Sequence, residues 1–183
     1  MELERQREAA QRECGELKTQ LKMVPFGELQ RQIVLEVPAP LRVVIYRRMM
    51  LRIAERIARD TRARALVTGE VIGQVASQTL ENLTVIASVA GMPILRPLIG
   101  MDKEEIIVEA QRLGTYEISI IPDQDCCQLF TPRSPETHAR FWQADAAESK
   151  LPVAEMVASA VDATTTEVFE FPPRPAGEVA DLE

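Results

Sequence analysis

The chain has 183 residues and a formal net charge of −7, and 46% of it is apolar although only 4% is aromatic. That length suits one domain with a core of Val, Ile, Leu, Ala and Met, and the acidic balance excludes nucleic-acid binding across the whole surface. No apolar run reaches bilayer-spanning length, and the three cysteines make no disulfide framework, so the expectation is a soluble cytoplasmic protein with no membrane partner.

From Met1 to about Leu17 the chain is dense in Glu, Arg and Gln, with Leu3, Ala10, Cys14 and Leu17 near helical spacing. This predicts a surface helix with Cys14 as a half-buried filler. Leu21 to Val24 reads as a strand ended by Pro25, and Gly27 to about Val34 as a helix broken at Pro38-Ala-Pro40. The longest helix runs from about Leu41 to Asp60. Counting along it at roughly 100° per residue puts Val43, Met50, Ala54 and Ile57 on a core stripe. Arg48, Arg52, Glu55, Arg56 and Arg59 then point to solvent, as a soluble face or as contacts to RNA phosphates. Arg47 falls on the stripe. A guanidinium there is costly without an anion. It is met by an internal carboxylate, snorkels to the surface, or faces a ligand phosphate.

The stretch Ala65 to Leu83 organises the rest. Ala65 to Val67 is sized for a buried strand, Thr68-Gly69-Glu70 breaks it, and an amphipathic helix is expected from about Gly73. Strand, glycine turn and helix together place ligands at the carboxyl end of a parallel strand, where free N–H groups suit phosphate or ribose oxygens. Within that helix Ile72, Val75, Ala76, Thr79 and Leu83 would share one face, with Gln74, Gln78 and Asn82 as a row of amides on its flank. An ordinary βα unit with a solvated flank is the alternative, since neither GxGxxG nor GxxxxGK[ST] is present.

After an apolar continuation from Thr84 to Ala90, Ile94 to Ile99 reads as a strand end running into a loop. Asp102 and Glu105 form a capping-box start for a helix whose apolar face is Ile106, Ile107, Ala110 and Leu113, ended by Gly114. This rhythm predicts a parallel sheet covered on both faces. Ile118 to Ile121 is expected as a further strand leading to the loop of Cys126 and Cys127. Adjacent cysteines bond one another only with strain, and without partner ligands they make a poor zinc site. They are inert thiols, or a thiol at the cleft end of the sheet. His138 lies in a Pro- and Ser-rich connector as a surface residue. Pro152 to Val161 predicts a helix, Thr166 to Phe171 an edge strand, and residues 172–183 a disordered tail.

Val44 to Ala54, Leu66 to Glu70 with Gly73 to Leu83, Leu95 to Ile106, and Gly114 to Ile118 through Asp125-Cys126-Cys127 resemble tRNA 4-thiouridine synthetase, also called the thiamine-biosynthesis sulfurtransferase family. The resemblance runs from near the N-terminus to about Phe171. It implies an α/β fold, a three-layer α/β/α parallel sheet of the adenine-nucleotide alpha-hydrolase (PP-loop ATPase) type. Residues 1–171 would be part of the ATP-pyrophosphatase domain and residues 172–183 a disordered acidic tail. It further implies that ATP, with Mg2+, adenylates the C4 oxygen of a tRNA uridine. A persulfide from a cysteine desulfurase or rhodanese-type carrier then attacks C4. Carried over by motif, Arg47, Gly69 and Gln78 contact ATP, and Cys127 is the resolving thiol with Cys126 beside it. Family members also carry a THUMP module for tRNA, a ferredoxin-like module and a Ser-Gly-Gly-x-Asp-Ser loop after the first strand, and this sequence contains none of these. The expectation is therefore a sulfurtransferase domain lacking its first strand and pyrophosphate loop, incomplete or inactive alone. Two alternatives stand beside it: a non-catalytic assembly half-domain completed by a second copy (a homodimer) or an N-terminal partner chain, and small-molecule thiolation in thiamine synthesis.

Overall fold

The computed structural model describes residues 17–122 and 132–171. The helix expected before Leu17, the Cys126–Cys127 loop and the tail after Phe171 lie outside the described residues. The chain divides into two compact units, residues 1–25 with 163–183, and residues 26–162.

The first unit is an antiparallel ribbon of β1 (Leu17–Met23) and β4 (Thr165–Phe171), in register from Leu17 opposite Phe171 to Met23 opposite Thr165. Both expected strands are present, and β1 starts four residues earlier than the apolar run beginning at Leu21 suggested. The Lys22 Nζ donates to Thr166 Oγ1 at 3.0 Å.

In the second unit, α1 (Gly27–Glu36) is followed by a 3-10 turn at Ala39–Leu41 and the long α2 (Arg42–Asp60). Then come β2 (Leu66–Val67), a 3-10 turn at Ala76–Gln78, α3 (Leu80–Ala87) and β3 (Ile94–Leu95). The unit continues with α4 (Lys103–Arg112), α5 (Tyr116–Ser119), α6 (Phe141–Glu148) and α7 (Val153–Asp162). Pro38 and Pro40 stop α1 as expected, and Arg42 donates to the end of that helix, from Nε to Val37 O at 3.1 Å and from the terminal nitrogen to Val34 O at 2.9 Å. Strands β2 and β3 pair in parallel, Leu66 opposite Ile94 and Val67 opposite Leu95. Among the described residues no helix is long and apolar enough to cross a membrane.

Helix α2 is the spine, packed against α1, α3, α6, α7 and β2. Its buried side chains are Val44, Ile45, Tyr46, Arg48, Met49, Leu51, Ile53, Glu55 and Ala58. Met50 is exposed, and Val43, Ala54 and Ile57 are only half-buried, so the single core stripe expected from sequence is wrong. A stripe describes a helix covered on one side; this helix is covered around most of its circumference. Two charged residues assigned to solvent are consequently buried. Arg48, 3% exposed, donates to Val85 O at 3.0 Å, Ser88 Oγ at 3.3 Å, Asp145 Oδ1 at 2.7 Å and Glu148 Oε2 at 2.8 Å. Glu55 accepts the Gly91 N–H at 2.7 Å and the Arg59 guanidinium. A Cβ at Gly91 would stand 3.0 Å from Glu55 Oε1 and 3.2 Å from the Arg59 guanidinium, so a larger residue there would make these side-chain ends give way.

Two further expectations fail. The helix placed from Gly73 begins only at Leu80. Ile118 to Ile121 is not a strand: residues up to Ser119 belong to α5, and Ile118, Ile120 and Ile121 are 70%, 54% and 63% exposed. A β-prone run becomes a strand only beside a partner. Helix α6 carried no expectation from the sequence, because its small residues Ala144 and Ala147 give almost no apolar signal, yet they pack buried. The capping box at Asp102 and Glu105 is present in both directions, with Glu105 N–H donating to Asp102 at 2.9 Å and Asp102 N–H to Glu105 at 2.8 Å. The helix it starts, α4, has no buried residue, so its expected apolar face is at most half-covered.

Burial pushes the Glu148 carboxyl up, but the hydrogen bonds and charges of Arg52 and Arg48 outweigh it and leave it below its ordinary 4.5. Arg52 grips Glu148 with two bonds, at 2.5 and 2.9 Å. A depressed carboxyl stabilises the fold above its unfolded value and loses that contribution as pH falls through its folded value. Glu148→Gln should cost about 2–3 kcal/mol at pH 7, less than for a sealed pair because Arg48 keeps Asp145. Urea unfolding at pH 7 and at lower pH should show the gap between variant and parent narrowing below the ordinary carboxyl value. A gap that stays constant with pH contradicts this.

Candidate functional site

The site is built at the carboxyl ends of β2 and β3. The ladder continues one step past β2, Thr68 N–H donating to Leu95 O at the end of β3 at 3.0 Å, so the residues that follow, Gly69-Glu70 and Arg96, leave neighbouring strand ends. Glu70 is 5% exposed, yet carries a charge. It accepts from Thr68 Oγ1 at 2.9 Å and from Arg96 Nε at 2.5 Å, and its other oxygen pairs with the Arg47 guanidinium from α2. Arg47 also donates to Ser77 O at 3.1 Å and Ser77 Oγ at 3.2 Å.

Arg47 thus spans the two residues that adjoin the other nucleotide candidates: Glu70 follows Gly69, and Ser77 precedes Gln78. The structure brings Arg47, Gly69 and Gln78 into one neighbourhood; Cys126 and Cys127 lie outside the described residues. Of the resolutions open to Arg47 from sequence, the internal carboxylate is realised. Burial, and then the neighbouring charge of Arg96, hold the Arg47 pKa below its ordinary value; a guanidinium stays charged at neutral pH all the same.

Gly69 is exposed and not in the left-handed region, and an added Cβ would meet nothing within 4 Å. The fold itself does not demand glycine there. Gly73 is different: its φ is +77°, and its N–H donates to Gln78 O at 2.9 Å, closing the loop that carries the 3-10 turn. In that turn the Gln78 Oε1 is buried without a hydrogen-bond partner among the described residues. A buried acceptor left unpaired is costly and marks a place where a donor is wanted.

The row of amides expected along one helix flank does not form. Gln74 is exposed in the loop, Gln78 sits in the 3-10 turn, and Asn82 is fully buried. The Asn82 Nδ2 donates to Ala76 O at 2.8 Å and Glu136 O at 2.7 Å, and its Oδ1 accepts from Ala139 N–H at 3.0 Å. Thr79, the N-cap of α3, accepts from Asn82 N–H at 3.1 Å and donates to Thr137 O at 2.6 Å. These bonds seat the 136–139 connector on the start of α3. His138, within it, is exposed, as expected.

A neighbouring open cleft of about 520 Å³ runs between the Val71–Gln74 loop and Ile99–Lys103; neither Arg47 nor Gln78 lines it. Among the described residues no group of three His, Cys, Asp or Glu is placed to hold a metal. Sequence reasoning missed Glu70, Ser77 and Arg96. The signal for Glu70 was Arg47 itself, which demanded an internal anion, and Glu70 stands in the turn beside it.

A parallel βα unit with charged and amide side chains gathered at its carboxyl rim defines an α/β protein, and its likeness to a solved 4-thiouridine synthetase makes the fold PP-loop ATPase-like. Residues 3–153 match the family described as Thiamine biosynthesis protein (ThiI), and the chain belongs to that family. It is 52% identical over 158 residues to a probable tRNA sulfurtransferase of Thermus thermophilus, covering 86% of this chain and 39% of that protein. A probable tRNA sulfurtransferase of Geobacillus kaustophilus is 46% identical over 162 residues, with 88% and 40% covered. A solved complex of a 4-thiouridine synthetase with RNA and bound ATP superposes with a TM-score of 0.79 at 44% identity, over 83% of this chain and 40% of that one. The chain therefore spans about two fifths of the length of these relatives.

Replacing the fully buried Asn82 by Ala strands two part-buried carbonyls and one buried N–H. The variant should lose about 3 kcal/mol in urea unfolding; a loss under about 1 kcal/mol would show that the connector is not seated through this amide.

Proposed function

We propose that this chain is part of the ATP-pyrophosphatase domain of a tRNA sulfurtransferase that thiolates uridine at C4. The observation that carries the reading is Arg47 joined at once to the Gly69-Glu70 turn and to the Ser77-Gln78 turn, in a chain whose fold is that of an ATP-bound relative. The residues present suit a nucleotide. The Gln78 Oε1, unpaired among the described residues, is an acceptor for an N–H such as an adenine amino group, Gly69 leaves open space for close approach to backbone, and Arg47 supplies positive charge.

ATP would supply the AMP group that turns a uridine carbonyl oxygen into a leaving group. The chain's own part is to bind and orient: Gln78 reads the base, Gly69 lets it lie against the turn, and Arg47 holds both turns in place. Mg2+ would enter with the phosphates. The tRNA, and a cysteine desulfurase or rhodanese-type sulfur carrier, are the macromolecular partners of the same reading, with Cys127 as the resolving thiol and Cys126 beside it. A cytoplasmic location follows from acting on tRNA.

One observation favours a second reading, an assembly half-domain. Among the described residues β2 has a partner strand on one edge only, and Val67 and Leu95 are 67% and 55% exposed. A second copy or an N-terminal partner chain would then supply the neighbouring strand.

Labelled ATP incubated with the chain and tRNA, alone and with the remaining modules of a relative added, should give AMP and thiolated uridine at least in the supplemented mixture. No product in either mixture contradicts the enzyme reading. Gly69→Ala should leave the melting temperature within about 1 °C, since its Cβ meets nothing, while weakening ATP binding about tenfold. Unchanged affinity would remove Gly69 from the site.

A further inference from the structure

The charges around Glu70 do not balance. One buried carboxylate faces two guanidiniums, Arg47 and Arg96, each with a side chain 21% exposed. A carboxylate needs one arginine for neutrality, and a purely structural pair would stop there, because each additional half-buried cation adds a desolvation cost. The two cations also feel one another, since the Arg96 charge is one of the causes that depress Arg47.

The way Arg96 is held adds to this. It spends its Nε on Glu70, and among the described residues its two terminal nitrogens have no partner. The planar fork that suits guanidinium to phosphate or carboxylate is therefore oriented by Glu70 and left free. The residue leaves the sheet at the end of β3, beside the turn that carries Gly69, at the rim where parallel α/β sheets take their ligands.

We infer that Arg96 is a second phosphate-binding residue of this rim, aimed by the Glu70 carboxylate, and that it contacts the polyphosphate of the nucleotide while Gln78 meets the base. This rests on the nucleotide reading above and deepens it, because no motif reasoning assigned Arg96 or Glu70 a role. Glu70 acts through its two arginines as a positioning residue. Its charge also opposes an arriving anion, so it tempers the affinity that it makes geometrically specific. Because the whole chain carries −7, anion binding here needs such a local excess of positive charge.

The test uses inorganic pyrophosphate, ATP and adenosine as titrants, by calorimetry, on the full chain and on Arg96→Gln, Arg96→Lys and Glu70→Gln. Arg96→Gln should weaken pyrophosphate and ATP about tenfold or more and leave adenosine unchanged. Arg96→Lys should fall between the two, keeping charge but losing the fork. Glu70→Gln keeps one acceptor oxygen, enough for Arg96 and Thr68, which share one oxygen of Glu70, and puts a donor in place of the oxygen that meets Arg47. It also removes the repulsion, so pyrophosphate should bind roughly threefold to tenfold more tightly. That gain is a result a merely structural triad would not give, and it stands even if Arg96→Gln fails to fold. Equal pyrophosphate binding by all four proteins overturns the inference, as does an adenosine loss as large as the ATP loss. Pyrophosphate binding that depends on Arg96 without any preference for ATP keeps the anion site and removes the nucleotide reading. ATP binding that ignores Arg96 does the reverse.

Discussion

A buried carboxylate that must satisfy two arginines fixes the geometry of this molecule's rim. Glu70 sits at the end of β2, Arg47 comes from the middle of the spine helix, and Arg96 from the end of β3. Three elements far apart in sequence are tied at one point. Because Arg47 also reaches Ser77, the same knot sets the 3-10 turn that carries Gln78. Such a cluster adds little net stability over a well-packed apolar one, and its use is to fix a unique arrangement. Here that arrangement gathers, near the carboxyl ends of β2 and β3, an acceptor and a guanidinium fork without partners among the described residues and an unobstructed glycine.

The spine helix repeats the same logic away from the rim. Arg48 and Arg52 converge on Glu148, drawing α6 onto α2, while Glu55 catches the Gly91 N–H and fixes the entry to β3. A chain poor in aromatic residues fills its core with small and branched apolar side chains, and the joints between helices are made by internal ion pairs. The Glu55 bond to Gly91 N–H thus ties the approach to β3, and so to Arg96, to the spine helix, beside the two-residue ladder itself.

The sequence was legible where local chemistry decides the outcome. Pro38 and Pro40 end a helix wherever they stand, Asp102 and Glu105 cap one, and the apolar pieces at Leu66 and Ile94 pair in parallel as the βα rhythm requires. It was illegible where the neighbours decide. Arg48 and Glu55 look like solvated charges until α6 and the Gly91 turn close over them, and Ile118 to Ile121 looks like a strand although among the described residues no partner strand reaches it. Gly73 to Thr79 carries a helical pattern, but the left-handed Gly73 and its bond to Gln78 turn it into a loop. Of the candidate site, Arg47 was visible as a cation needing an anion, and motif resemblance added Gly69 and Gln78. Glu70 and Arg96 were not, because a charge in a turn declares no partner.

The central claim is that Arg47 and Glu70 act as one unit. A double-mutant cycle of Arg47→Met and Glu70→Gln, read by urea unfolding of the full chain, isolates their interaction from the cost of each change alone. A coupling of about 2 kcal/mol is predicted. A coupling near zero would mean that the two side chains are neighbours without being joined, and the account of the rim would be contradicted.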